Sequence, residues 1–116
     1  MSNEVIEKFN EASKSNYESA KALYAINVKT LSQLADQQIA YSKLCVESMS
    51  DSMKNLSSAK DIKEATAAQS ELYQSIADKV QGIARNSMDI LNESKDEVSA
   101  WVEKNVEELN AKVKTA

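Results

Sequence analysis

Apolar and charged positions in the first half of the chain recur with a period near 3.6 residues. Placed at 100° per residue, Ile6, Phe9, Tyr17, Ala20, Tyr24, Val28, Leu31, Leu34, Ala35, Tyr41, Cys45, Val46, Met49, Met53 and Leu56 share one broad stripe. Glu7, Glu11, Lys14, Glu18, Lys29, Asp36, Lys43, Glu47 and Lys54 fall opposite it. The sorting predicts an amphipathic helix over residues 4–56, about 80 Å long if unbroken at 1.5 Å per residue. Ile26 and Leu44 point instead toward the charged side and predict a second contact near the middle.

The stripe lapses over residues 55–61, where a hinge is expected at 57–61. Ser58 with Asp61, or Asp61 with Glu64, has the spacing of an N-terminal capping box, in which an acidic or hydroxyl side chain satisfies a free backbone N–H. From Ile62 a second stripe runs through Ala65, Gln69, Leu72, Tyr73, Ile76, Val80, Ile83, Ser87, Ile90, Leu91, Val98, Trp101, Val102, Leu109 and Val113. Acidic residues and Arg85 lie opposite. Ser94 and Glu97 repeat the box spacing, so a helix over 62–92, a kink or short break, and a C-terminal helix over 95–113 are expected, fraying at its end.

Composition agrees with an all-α chain of one domain across residues 1–116. Proline is absent and glycine occurs once, at Gly82, so the residues that punctuate sheets and compact loops are nearly missing. Each stripe is close to 150° wide, more than one two-helix seam covers. The expected architecture is therefore a helical hairpin of long amphipathic helices that packs as a bundle or coiled coil in a homo-oligomer, with four chains the expected number, or that lays its stripes on an apolar surface. Ser, Gln and Ala dilute the stripe at Gln38, Ser42, Gln69 and Ser87, and Met49, Met53 and Met88 add flexible side chains. Both features favour an adaptable contact over a fixed leucine seam.

Charge excludes some partners. Eighteen acidic residues against 14 basic ones give a net charge of −4 with no Lys/Arg block, a poor fit to nucleic acid or an anionic membrane surface. The N-terminal sequence has no basic start followed by an apolar run, and no stretch approaches a transmembrane segment, so a cytoplasmic protein is expected. Enzymatic chemistry is also disfavoured. Histidine is absent, the single glycine cannot build a phosphate-binding loop, and Cys45 sits on the stripe without a base to activate it. No catalytic residue, metal site or cofactor is expected.

The stretch Ala59-Lys60-Asp61-Ile62-Lys63-Glu64, followed by Ala68-Gln69-Ser70-Glu71-Leu72-Tyr73, resembles the central segment of the phasins. The region from Phe9 and Tyr17 to Leu34, and Ile83-Ala84 with Ile90-Leu91, look like the same family, so the likeness covers most of the chain. Ala68 stands where a leucine is expected before Gln69. The resemblance implies a non-enzymatic protein that coats polyhydroxyalkanoate storage granules, limits their coalescence, influences granule size and number, and in some members affects the polymer synthase. The residues expected to face the polymer or an oligomer partner are Ile6, Phe9, Tyr17, Tyr24, Val28, Leu31, Leu34, Met49, Met53, Leu56, Ile62, Leu72, Ile76, Val80, Ile83, Ile90 and Trp101. Trp101 fits either packing within the C-terminal helix or anchoring at such a contact. The alternative function is a structural helical oligomer or adaptor bound to other protein helices.

Overall fold

The computed structural model describes residues 2–115, with the side chains of residues 3–111; Val113 of the second stripe lies outside the described side chains. Two α-helices, α1 (Ser2–Ser58) and α2 (Ile62–Thr115), form a hairpin, and no strand occurs among the described residues. The turn is made by residues 59–61. Asp61 is the residue that starts α2: its Oδ1 accepts the Glu64 N–H at 2.7 Å, and Glu64 Oε2 reaches back to the Lys60 N–H at 3.4 Å. Of the two capping boxes open to the sequence, the structure uses Asp61 with Glu64. Ser58 serves the other helix, donating its hydroxyl to the Lys54 carbonyl at 2.7 Å.

Helix α2 runs without interruption through residues 92–95, where a kink or break was expected. The physical reason is visible in Ser94, whose hydroxyl does not cap a new helix. It lies 2.8 Å from the hydroxyl of Thr30 on α1. The cap-like spacing of Ser94 and Glu97 reflects two residues facing the neighbouring helix.

The chain divides into two compact units, one of residues 1–31 with 91–116 and one of residues 32–90. In the first, half-buried Ala12, Ser15, Ser19, Leu23, Ile26 and Thr30 of α1 share their side of the helix, and Ser94, Val98, Trp101 and Asn105 share theirs on α2. In the second the seam carries Gln33, Leu34, Gln37, Ala40, Leu44, Ser48, Ser52 and Asn55 on α1. Ala65, Ala68, Gln69, Leu72, Ile76, Ile83, Ser87 and Ile90 answer them on α2. The steps of three and four residues are those of two long helices packed side by side. Among the described residues Leu44, 7% exposed, is the buried hydrophobic one. Ile26 and Leu44, the two misfits of the first stripe, are seam residues.

Small and polar side chains make the seam narrow, and directed hydrogen bonds supplement its packing. The Trp101 indole N–H donates to the Ser19 carbonyl at 2.8 Å in the first unit. In the second, Gln69 Nε2 donates to Ser52 Oγ at 2.8 Å and Asn55 Nδ2 to the Ala68 carbonyl at 3.4 Å. Each such bond is worth about 1 kcal/mol net. Gln69 Oε1 is buried without a protein partner.

Candidate functional site

So narrow a seam leaves most of the apolar side chains in water. The chain exposes 9415 Å². A compact monomer of its 12.8 kDa mass is expected to expose about 6,300 Å². The excess is roughly 3,000 Å² of polar and apolar surface together, and large apolar residues are among those open to solvent. On α1 Ile6, Phe9, Tyr17, Tyr24, Val28, Leu31, Met49, Met53 and Leu56 are all 45–71% exposed, and Val46 and Ile39 join them. Leu34 alone of the α1 residues expected in the contact face is half-buried in the seam.

Helix α2 divides its expected residues differently. Leu72, Ile76, Ile83, Ile90 and Trp101 are half-buried against α1, whereas Ile62, 85% exposed, and Val80 are open. The apolar residues that α2 presents to solvent are Ile62, Tyr73, Val80, Met88, Leu91, Val102, Val106 and Leu109. Val106 and Ile39 lie outside both sequence stripes. Their signal was available once the seam was known, since each falls beside the exposed set at helical spacing.

The geometry of the pair decides where these two open stripes point. At 100° per residue the exposed stripe of α1 follows its seam by about 135°, and that of α2 follows its own seam by about 85°. Viewed from the α1 N-terminus, residues of a right-handed helix advance clockwise, while those of the antiparallel α2 advance anticlockwise. Both offsets therefore turn to the same side of the pair. The charged residues fall on the other side by the same construction. In each unit, then, one face is apolar and the opposite face is charged.

Grooves near the turn carry the same division. One is lined by Leu56, Ala65, Thr66, Gln69, Ser70 and Tyr73, with an apolar residue from each helix at its rim. The other, on the opposite side, is lined by Asp51, Lys54, Asn55, Ala68, Glu71, Leu72 and Ser75. A third and larger open groove of about 710 Å³ lies along α1 itself, between Ala35, Gln38, Ile39, Ser42 and Val46, flanked by Lys43 and Glu47. It is shallow relief on the apolar face and gathers no convergent polar groups.

The charged face holds an ion-pair cluster that joins the two helices. Lys29 Nζ lies 2.7 Å from Glu97 Oε1 and 3.4 Å from Glu93 Oε1. Hydrogen bonding to Glu97 and then Glu93, with their charges, raises the Lys29 ammonium above its ordinary value of 10.5. The group is fully exposed, so solvent and salt screen the attraction. Among the described residues no three His, Cys, Asp or Glu side chains gather to hold a metal ion. Cys45, on the first stripe, is exposed.

A helical hairpin with one apolar and one charged face per unit defines a class by its architecture: amphipathic all-helical proteins. Residues 7–106 match the family model described as Phasin protein, and the chain belongs to the phasin family. Neither a curated protein nor a solved structure matches the chain. Phasins are structural proteins associated with polyhydroxyalkanoate granules in the cytoplasm. No helix among the described residues is long and apolar enough to cross a membrane.

Proposed function

We propose that this protein coats polyhydroxyalkanoate granules directly, laying the apolar face of each unit on the polyester and turning the charged face to water. The observation that carries the reading is the separation of the exposed apolar residues from the seam. Phe9, Tyr17, Leu31, Met49 and Met53 are not spent on the hairpin, and they stand on the side away from the charge. An aliphatic polyester is an irregular apolar surface that asks for area and not for shape, which suits a face built from unevenly sized side chains. The chain's net charge of −4 opposes close approach of two coated granules, and so limits coalescence and sets granule size and number.

The exposed apolar residues of both helices also favour self-association when no granule is present, with a tetramer as the proposed form, because apolar surface is costly to leave in water. Binding of the purified protein to amorphous poly-3-hydroxybutyrate particles tests the proposal, with a well-folded acidic helical bundle as control. Saturable binding selective over the control, with helix content retained, is the expected result. Glu18→Lys, on the charged face, should bind as well as the parent. Binding no better than the control would leave a fixed helical oligomer as the function.

A further inference from the structure

Opening the hairpin is the obvious way for two amphipathic helices to meet a surface, and the arrangement of faces on α1 argues against it. A helix lying on a plane touches it with one side only. In α1 the seam and the exposed stripe are centred about 135° apart at 100° per residue, so an opened α1 cannot press both against one plane. Separation would release Leu44, Ile26 and their neighbours without enlarging the α1 footprint. The closed pair already turns the stripes of both helices to the same side.

Opening also breaks contacts that the surface does not replace in kind. The Trp101 to Ser19, Gln69 to Ser52 and Thr30 to Ser94 pairs, each at 2.8 Å, join α1 to α2 within their units. They lie in the seam, apart from the exposed apolar residues, so adsorption through those residues leaves them intact.

We infer that the protein adsorbs as a closed hairpin, two helices abreast, with the α1–α2 seam shut on the polymer. This rests on the coating function proposed above and adds the conformation in which it is performed. The seam is thereby a structural joint in both the free and the adsorbed protein, and polymer contact belongs to residues outside it.

A disulfide across the seam tests the inference. Thr30 and Ser94 place their hydroxyl oxygens 2.8 Å apart, so cysteines in their place bring two sulfurs face to face across the seam. In a Cys45→Ser background, Thr30→Cys with Ser94→Cys should bind amorphous poly-3-hydroxybutyrate particles equally, within about twofold, in oxidised and reduced forms. A tenfold or greater loss on oxidation, about 1.4 kcal/mol, reversed by reductant, would overturn the closed hairpin while leaving the coating function standing. Failure of both forms and of the parent chain to bind would remove both. Should the crosslink not form, spin labels at Glu47→Cys and Asp78→Cys, both on the charged face of one unit, read the same quantity. An unchanged interlabel distance on particles supports the inference, and a shift to longer distances refutes it.

Discussion

Under the proposed coating function, polymer contact and hairpin stability reside on different residues of α1, so substitutions should separate them. Val28 is 45% and Leu31 67% exposed, and both lie on the open stripe. Complete burial of such side chains is worth about 1.5–3 kcal/mol each, so covering the parts now in water is worth roughly 0.7–1.4 kcal/mol for Val28 and 1–2 kcal/mol for Leu31. Val28→Gln with Leu31→Gln removes most of this while keeping helix propensity as good as the parent's. Adsorption to polyester particles should weaken by about 2–3 kcal/mol, roughly 30- to 150-fold in apparent affinity. Thermal unfolding of the free protein, followed by circular dichroism, should scarcely change. Leu44→Ala is the converse: it empties the buried position of the seam and should cost about 2–4 kcal/mol of stability. An affinity within twofold of the parent for the double Gln variant, or a melting loss as large as that of Leu44→Ala, would refute the assignment of faces.

Other consequences are open to simpler measurements. Asp61→Ala removes the acceptor of the Glu64 N–H and should cost about 1 kcal/mol, seen as faster amide exchange in the first turn of α2. Gly82 has nothing within 4 Å of where a Cβ would stand, so Gly82→Ala should stabilise α2 by about 0.5–1 kcal/mol and raise the melting temperature by a few degrees. Lys29 has a raised pKa, so its contribution is fully present below the ordinary lysine value of 10.5 and is lost as pH climbs through the higher folded value. Lys29→Met should therefore differ from the parent at pH 7, the difference closing only in strongly alkaline solution, and salt should shrink it.

Periodicity sufficed to read two helices, their reversal near residues 57–61 and the acidic start of α2, because each has a local cause. The seam was harder to see, since it is built from residues that a hydrophobic pattern discounts. Gln69 and Ser87 read as polar dilution and Ser19 and Ser52 belonged to neither stripe, yet all four line the joint, where Gln69 donates to Ser52 and Trp101 to the Ser19 carbonyl. The legible sign was negative: Ile26 and Leu44 did not fit the stripe. On α2 the seam and the open stripe are only about 85° apart at 100° per residue, so they merged in the sequence into one apolar arc. Leu72, Ile76, Ile83 and Ile90 were grouped with Ile62 for that reason, although the fold turns them toward α1. Ser94 shows the limit of a local motif, because its use depends on Thr30, which stands 64 residues away.

The reversal at residues 59–61 also sets an order in time. Contacts nearest the turn are nearly local, with Asn55 and Ala68 separated by 13 residues, whereas Trp101 and Ser19 are separated by 82. Closing the longer loop costs about 1.6 kcal/mol more in chain entropy. Assembly is thus expected to begin beside the turn and to reach the indole last. Removing the Gln69 amide should chiefly slow folding, while Trp101→Phe should chiefly hasten unfolding, a contrast that stopped-flow kinetics reads directly. During synthesis α1 has no partner until the ribosome has delivered α2, and its open stripe is then the part of the chain most in need of cover.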